Sequence, residues 1–240
     1  LTERLPKRPK RLNKLNYGTL GELKTTFDLR TVRNIIIKQN VPDTDEDDSS
    51  SIYEIFNRLN TGGINLKPQE IRTSLYPSPF YEMLYRINLD QRWRKLLGVV
   101  EPDLHMKDIE ILLRAFAMVM YGDKYKPSMT SFLNLISKRA RSLSPEKVGY
   151  LEKLFYAFLD ACVALPEKAF FGAQFTRVNI SFIDAVFAAH CTAAFCNTNL
   201  DVPAVDPEKL RQPKGDSDFI NTRTEEHTSE IKSLAYLVCR

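Results

Sequence analysis

From Ser51 to Cys196 apolar residues return at intervals of three and four. No other feature restricts the chain so firmly: a face of that period is buried by stacking helices. The rhythm predicts helices from a cap at Ser49 or Ser50 through Asn60, from Pro68 to about Tyr76, and over 79–88, 90–97, 106–121, 128–141, 145–163 and 181–196. In the first of these Ile52, Ile55, Phe56 and Leu59 share a face, and over 106–121 the stripe is Ile109, Leu112, Leu113, Phe116 and Met120. Pro68 suits a first helical turn, and Pro77 and Pro79 punctuate the chain beyond Tyr76. Upstream, Val32-Arg33-Asn34-Ile35-Ile36-Ile37-Lys38 reads as a strand closed by Asn40 and Pro42. After residue 197, Pro, Asp and Lys recur without periodicity, which reads as a loop or tail over 197–222. The fold class expected is therefore mainly α, with a small α/β part up to about residue 75 and an all-helical bundle over 77–196.

Bulk properties narrow the setting. A 240-residue chain with 43% hydrophobic and 27% charged residues is ordinary for a globular protein of one or two domains. Its apolar runs are too short for a membrane span, so no membrane partner is expected. Four cysteines without regular spacing make no disulfide framework, and no signal-peptide pattern opens the chain. A cytoplasmic, reducing location is the resulting expectation.

The net charge of +4 hides an asymmetry. Residues 1–15 carry six basic side chains against Glu3, a net +5, which leaves −1 for the other 225 residues. That basic arm is either a solvated linker or a contact for nucleic-acid phosphates. Asp43, Asp45, Glu46, Asp47 and Asp48 form an acidic loop, but their spacing is not that of a calcium site.

Between the first two helices lies Asn60-Thr61-Gly62-Gly63. Two glycines let backbone N–H groups approach a ligand closely, and the next helix aims its unpaired N–H groups at the same turn. Arg58 and Arg72 flank it, so the turn reads either as an anion or phosphate seat or as a plain helix–turn–helix corner. It is not a P-loop, since no Gly-Lys-Ser/Thr comes after the glycines. Glu54 and Arg58 are spaced for an i,i+4 pair, and Glu70 stands where it either caps the second helix or holds a metal or an arginine.

Elsewhere the residues favour structure over chemistry. His105 with Asp108 and Glu110 lacks a partner histidine at i+4, and Glu110–Arg114 reads as an exposed i,i+4 ion pair. His190 and Cys191 are adjacent on an Ala/Phe-rich helix and point in different directions, which favours core packing. Trp93, within Gln91-Arg92-Trp93-Arg94-Lys95, reads as a buried indole among solvated arginines, with stacking on a base as the alternative.

The segment Phe56 to Arg72 resembles the amino-terminal domain of GmrSD-type restriction endonucleases, a ParB-like family of phage-defence proteins. Its pattern is an aromatic residue, then x-Arg-Leu-Asn-Thr-Gly-Gly, Leu, a short spacer and Glu-Ile/Leu-Arg. Asp108 to Ala117 is similar to the family's Asp-x-Glu-x-x-Leu-Arg-Phe helix, with Ala115 where an aromatic is usual. Leu23 to Leu29 is similar to the segment leading into the family's strand. The resemblance spans about residues 16–196 and implies that 16–76 is the C-terminal part of a ParB-like α/β domain.

By that resemblance the complete protein binds a nucleoside triphosphate and a divalent metal and cuts modified phage DNA. Arg58, Asn60, Thr61, Gly62 and Gly63 are then the expected nucleotide or DNA-phosphate contacts. Arg72 is expected to stabilise phosphate charge, and Glu70 to orient an arginine or a metal-bound water. The family's Asp-Gly-Gln-Gln-Arg signature does not occur in these 240 residues, nor does its carboxy-terminal His-Asn-His nuclease domain. The expectation is therefore an N-terminally shortened fragment, inactive alone. Glu225-Glu226-His227-Thr228-Ser229-Glu230 resembles a translated sequencing adapter, so residues 223–240, with His227 and Cys239, are expected to carry no chemistry.

Overall fold

Short polar residues set just before apolar stretches start most of the helices. The computed structural model describes residues 15–31, 49–60, 66–126, 128–171 and 178–211, with the side chains of 49–52, 56, 60 and 211 outside that set. In it Ser78, Ser128, Ser144 and Asn179 each accept, on the side-chain oxygen, the backbone N–H three residues on, and Asp90 accepts that of Arg92. Each such cap contributes about 1 kcal/mol. Among the described helices proline occupies the first turn of four, where its missing N–H costs nothing.

The helices among the described residues are α1 (Leu23–Asp28), α2 (Ser49–Asn60), α3 (Pro68–Leu75), α4 (Pro79–Asn88), α5 (Gln91–Leu97), α6 (Lys107–Tyr121), α7 (Met129–Ala140), α8 (Pro145–Ala161), α9 (Ile180–Cys196) and α10 (Pro207–Arg211). The chain is mainly α, as its periodicity demands. Among the described residues no strand forms; Phe171 and Val178 make one isolated antiparallel bridge. The strand expected over 32–38 and the acidic loop at 43–48 lie outside the described residues, as do residues 1–14 of the basic arm over 1–15 and everything after Arg211. None of the described helices is long and apolar enough to cross a membrane.

Leu1–Asp43 and Thr44–Arg240 form separate compact units. In the first, Asn16 caps a 3-10 turn at Tyr17–Thr19, and the Tyr17 ring meets Phe27 edge-on with its hydroxyl donating to Asp28. None of its described residues is buried, so α1 lacks a core of its own.

The second unit is built around α6, which packs against α3, α4, α7 and α9, while α8 lies against α4 and α9. Burial runs almost unbroken round α6 from Asp108 to Val119, the pattern of a central helix. Phe116 touches the rings of Phe80, Phe155 and Phe187 at centroid separations of 5.8, 5.7 and 5.5 Å. Trp93 abuts Phe155 edge-on, so one aromatic cluster joins α4, α5, α6, α8 and α9. On α2, by contrast, Ile55 and Leu59 stay more than a third exposed, so the expected apolar face there is only partly covered.

Gly98 ends α5 at φ +63°, and a Cβ there falls 2.9 Å from Lys168 Cγ and from Phe171 Cζ. Gly98→Ala is expected to lower stability by about 1–2 kcal/mol through backbone strain and crowding. An unchanged urea midpoint would mean that the 168–171 turn yields at no penalty.

The 197–222 segment expected as a loop or tail is docked as far as α10. Val205 donates its N–H to Ala161 O at 2.9 Å, and Val205 and Leu210 are buried. Their spacing matches neither helix nor strand period, so a periodicity reading passes over them.

Candidate functional site

The site grows from the first turns of α3. Pro68 starts the helix, and Glu70 turns back so that Oε2 accepts the Lys67 N–H at 2.6 Å. Its carboxylate thus caps α3, and His105 Nδ1 lies 3.5 Å from the same oxygen. Gln69, just before Glu70, and Arg72 share the inward face.

Arg72 is 1% exposed. Its Nη1 donates to Gln69 Oε1 and to Glu110 Oε2, both at 2.8 Å, and Nε donates to Asn134 Oδ1 at 2.9 Å. Gln69 passes the network on by donating Nε2 to the Tyr81 hydroxyl at 3.3 Å. Ser137 Oγ donates to Leu133 O, so Tyr81 is the donor in its 2.8 Å bond to Ser137. Burial pushes the Tyr81 phenol up, which keeps that proton in place. This buried polar network ties α3 to α4, α6 and α7. Arg72→Met is expected to lower stability by about 2–3 kcal/mol, because Asn134 and Gln69 lose their donor. Glu110, 30% exposed at the side chain, reaches water, which keeps the loss below that of a closed ion pair. A urea-midpoint change worth less than about 1 kcal/mol would show the network to be slack.

Beside this network α2 and α7 border an open cleft of about 400 Å³. Tyr53 and Asn57 line it from α2, and Ser128, Thr130, Ser131 and Asn134 from the start of α7. Burial pushes the Tyr53 phenol up, Arg72 pulls it down and Glu110 pushes it up again. Arg58 stands at the cleft with its side chain 80% exposed and Nη2 3.3 Å from Glu54 Oε2, the expected i,i+4 pair.

The expected site residues thus divide. Arg58 borders the cleft, Arg72 connects to it through Asn134, and Glu70 is on the N-cap of α3. Asn60 ends α2, and its side chain, with Thr61, Gly62 and Gly63, lies outside the described residues. Asn134 and the α7 hydroxyls escaped the sequence reading, since no motif marks them and they face the cleft only through helix packing.

Other expectations change. Arg114 is buried, not exposed, and donates Nε and Nη2 to Asp184 Oδ2 at 3.0 and 2.8 Å, while Glu110 takes Arg72. Trp93 is fully buried, with Nε1 donating to Asn88 Oδ1, which leaves no face for a base. Arg92 is exposed and pairs with Asp90 and Asp160, but Arg94 is buried on Asp108 rather than solvated.

His190 Nδ1 lies 3.0 Å from Pro203 O, which as a carbonyl only accepts, so this nitrogen carries the proton. Burial pushes the imidazole down, and it pushes the Cys191 thiol up, so the two form no thiolate dyad. Among the described residues no three His, Cys, Asp or Glu side chains gather to hold a metal ion.

No family model, no curated protein and no solved structure matches this chain.

Proposed function

We propose that this chain is the phosphate-contacting part of a modification-dependent restriction protein of the GmrSD type, whose complete form binds a nucleoside triphosphate and cuts foreign DNA. The observation that carries the reading is the 2.8 Å contact between Arg72 and Glu110. It joins the end of the Phe56–Arg72 segment to the Asp108–Ala117 segment, the two stretches on which the resemblance rests. Arg58, Asn60, Thr61, Gly62 and Gly63 are the proposed nucleotide or DNA-phosphate contacts, at the end of α2 and in the turn after it. Arg72 and Glu70 act there as positioning residues, Arg72 through Asn134 and Glu70 by capping α3.

The test restores the Asp-Gly-Gln-Gln-Arg and His-Asn-His parts in one chain and replaces Arg58 and Asn60 with alanine. Loss of nucleotide binding and of phage restriction, with folding kept, is the expected result. Unchanged binding and restriction would return the turn to a plain corner.

One observation favours a second reading, a non-enzymatic helical scaffold or ParB-like DNA-binding module: Glu70 and Arg72 already make complete structural contacts. Salt separates these two. A DNA-binding module loses affinity by orders of magnitude between about 50 and 200 mM salt if roughly six or more phosphates are contacted, whereas a scaffold shows no such slope.

A further inference from the structure

We propose that the α2–α7 cleft is a seat for phosphoryl oxygens, held by the opening turn of α7 and by the side-chain amide of Asn134. This deepens the phosphate-contact reading above and rests on it for Arg58 alone; the α7 residues belong to neither motif segment.

Asn134 is 4% exposed, and its Oδ1 accepts the Arg72 Nε–H at 2.9 Å. A guanidinium only donates, so the amide cannot turn over, and its NH2 faces away from Arg72. Asn134 lines the cleft, and among the described residues Nδ2 has no hydrogen-bond partner. That N–H pair is open to the cleft, where an acceptor oxygen can complete it.

The neighbours say what kind of acceptor. Ser128 Oγ takes the Ser131 N–H, which leaves the N–H groups of Met129 and Thr130 at the positive end of a 12-residue helix without partners among the described residues. Thr130 and Ser131 line the same wall, and Arg58 borders the cleft with Nη2 3.3 Å from Glu54 Oε2. Apart from Glu54, these groups can all donate. A ligand with several acceptor oxygens on one centre satisfies them together, and the cleft of about 400 Å³ has room for a mononucleotide or a stretch of backbone.

The experiment titrates the ¹⁵N-labelled full chain with inorganic phosphate, ATP and a short DNA duplex, reading the Asn134 side-chain amide and the Thr130 and Ser131 backbone signals. Saturable shifts at these positions are expected. Asn134→Asp keeps the acceptor for Arg72 but replaces the cleft donor with a carboxylate oxygen, and affinity should fall at least about tenfold with the unfolding midpoint retained. A Thr130→Ala/Ser131→Ala variant, which leaves the Arg72 network untouched, should weaken binding several-fold and serves if Asn134→Asp does not fold. ATP shifts competed by inorganic phosphate support a nucleotide source, and duplex shifts that fade steeply with salt support a backbone source. No saturable shift with any probe, or undiminished binding in both variants, overturns the proposal. If binding is undiminished in those variants yet Arg58→Ala abolishes it, the reading of the Gly-Gly turn stands and the α7 seat falls.

Discussion

Replacing Arg114 with methionine lowers stability by about 3–5 kcal/mol near neutral pH, because it strands a buried carboxylate. Asp184 is 0% exposed, its Oδ2 takes both guanidinium bonds, and among the described residues its Oδ1 has no hydrogen-bond partner. Burial pushes the Asp184 carboxyl up, Arg114 pulls it down, and Glu110 adds to the upward push. Without the arginine only the upward pushes remain. A carboxyl raised in the folded state carries no penalty below its unfolded pKa of about 3.9 and its full penalty above the folded value. The deficit of Arg114→Met should therefore shrink as the pH falls toward about 4, because the variant gains stability there. Urea unfolding at neutral and acid pH measures it. The double variant Arg114→Met/Asp184→Leu removes the charge with its partner and should recover most of the loss. A double variant as unstable as the single one would sink the argument.

Asp108→Ala should lower stability by a similar amount, about 3–5 kcal/mol, with the opposite origin of its pH dependence. Asp108 Oδ2 accepts from Arg94 Nη1 and Asn88 Nδ2 at 2.8 Å and from the Asp103 N–H at 3.0 Å, and Oδ1 accepts the Ile109 N–H. Arg94 also donates to Glu101 O, yet among the described residues its Nε has no hydrogen-bond partner, so losing Asp108 leaves a buried cation poorly matched. Burial works against the Asp108 charge, but the donors from Asp103, Asn88, Arg94 and Ile109 outweigh it and hold the carboxyl below its ordinary range. A depressed carboxyl stabilises above its unfolded pKa of about 3.9, and that contribution disappears as the pH falls through the lower folded value. Here the parent loses stability in acid and the alanine variant has none of it to lose, so their curves converge below about pH 4. Trp93, the single tryptophan, donates to Asn88 in this cluster, and its fluorescence tracks the change directly. A gap that stays constant down to pH 2 to 3, roughly, would show the carboxyl is not depressed.

The helices were legible because their signals are local. A Ser, Asp or Asn before an apolar run reports an N-terminus within a few residues, and the 3.6-residue period reports the buried face. The Glu70 cap was equally legible, as one of the two roles its position on the opening turn allowed. Polar partners were not. Local spacing offered Glu110 to Arg114, yet packing delivered Asp184, 70 residues away, and gave Glu110 to Arg72 across 38 residues. Arg94 read as solvated because its neighbours are basic, whereas the path from α5 to α6 brings Asp108 over it.

The same division runs through the candidate site. The order of residues from Phe56 to Arg72 determined where α2 ends, where α3 begins and what family the segment resembles. Periodicity alone determined that the rest would be mainly helical. Tertiary structure alone decided that Arg72 lies buried beside Asn134, that Thr130, Ser131 and Arg58 border one cleft, and that Val205 and Leu210 pin the segment after α9. The reason is physical. Caps and stripes act over a turn or two of one helix, whereas a buried donor takes whatever acceptor the packing of several helices brings within about 3 Å, and no local pattern encodes that meeting.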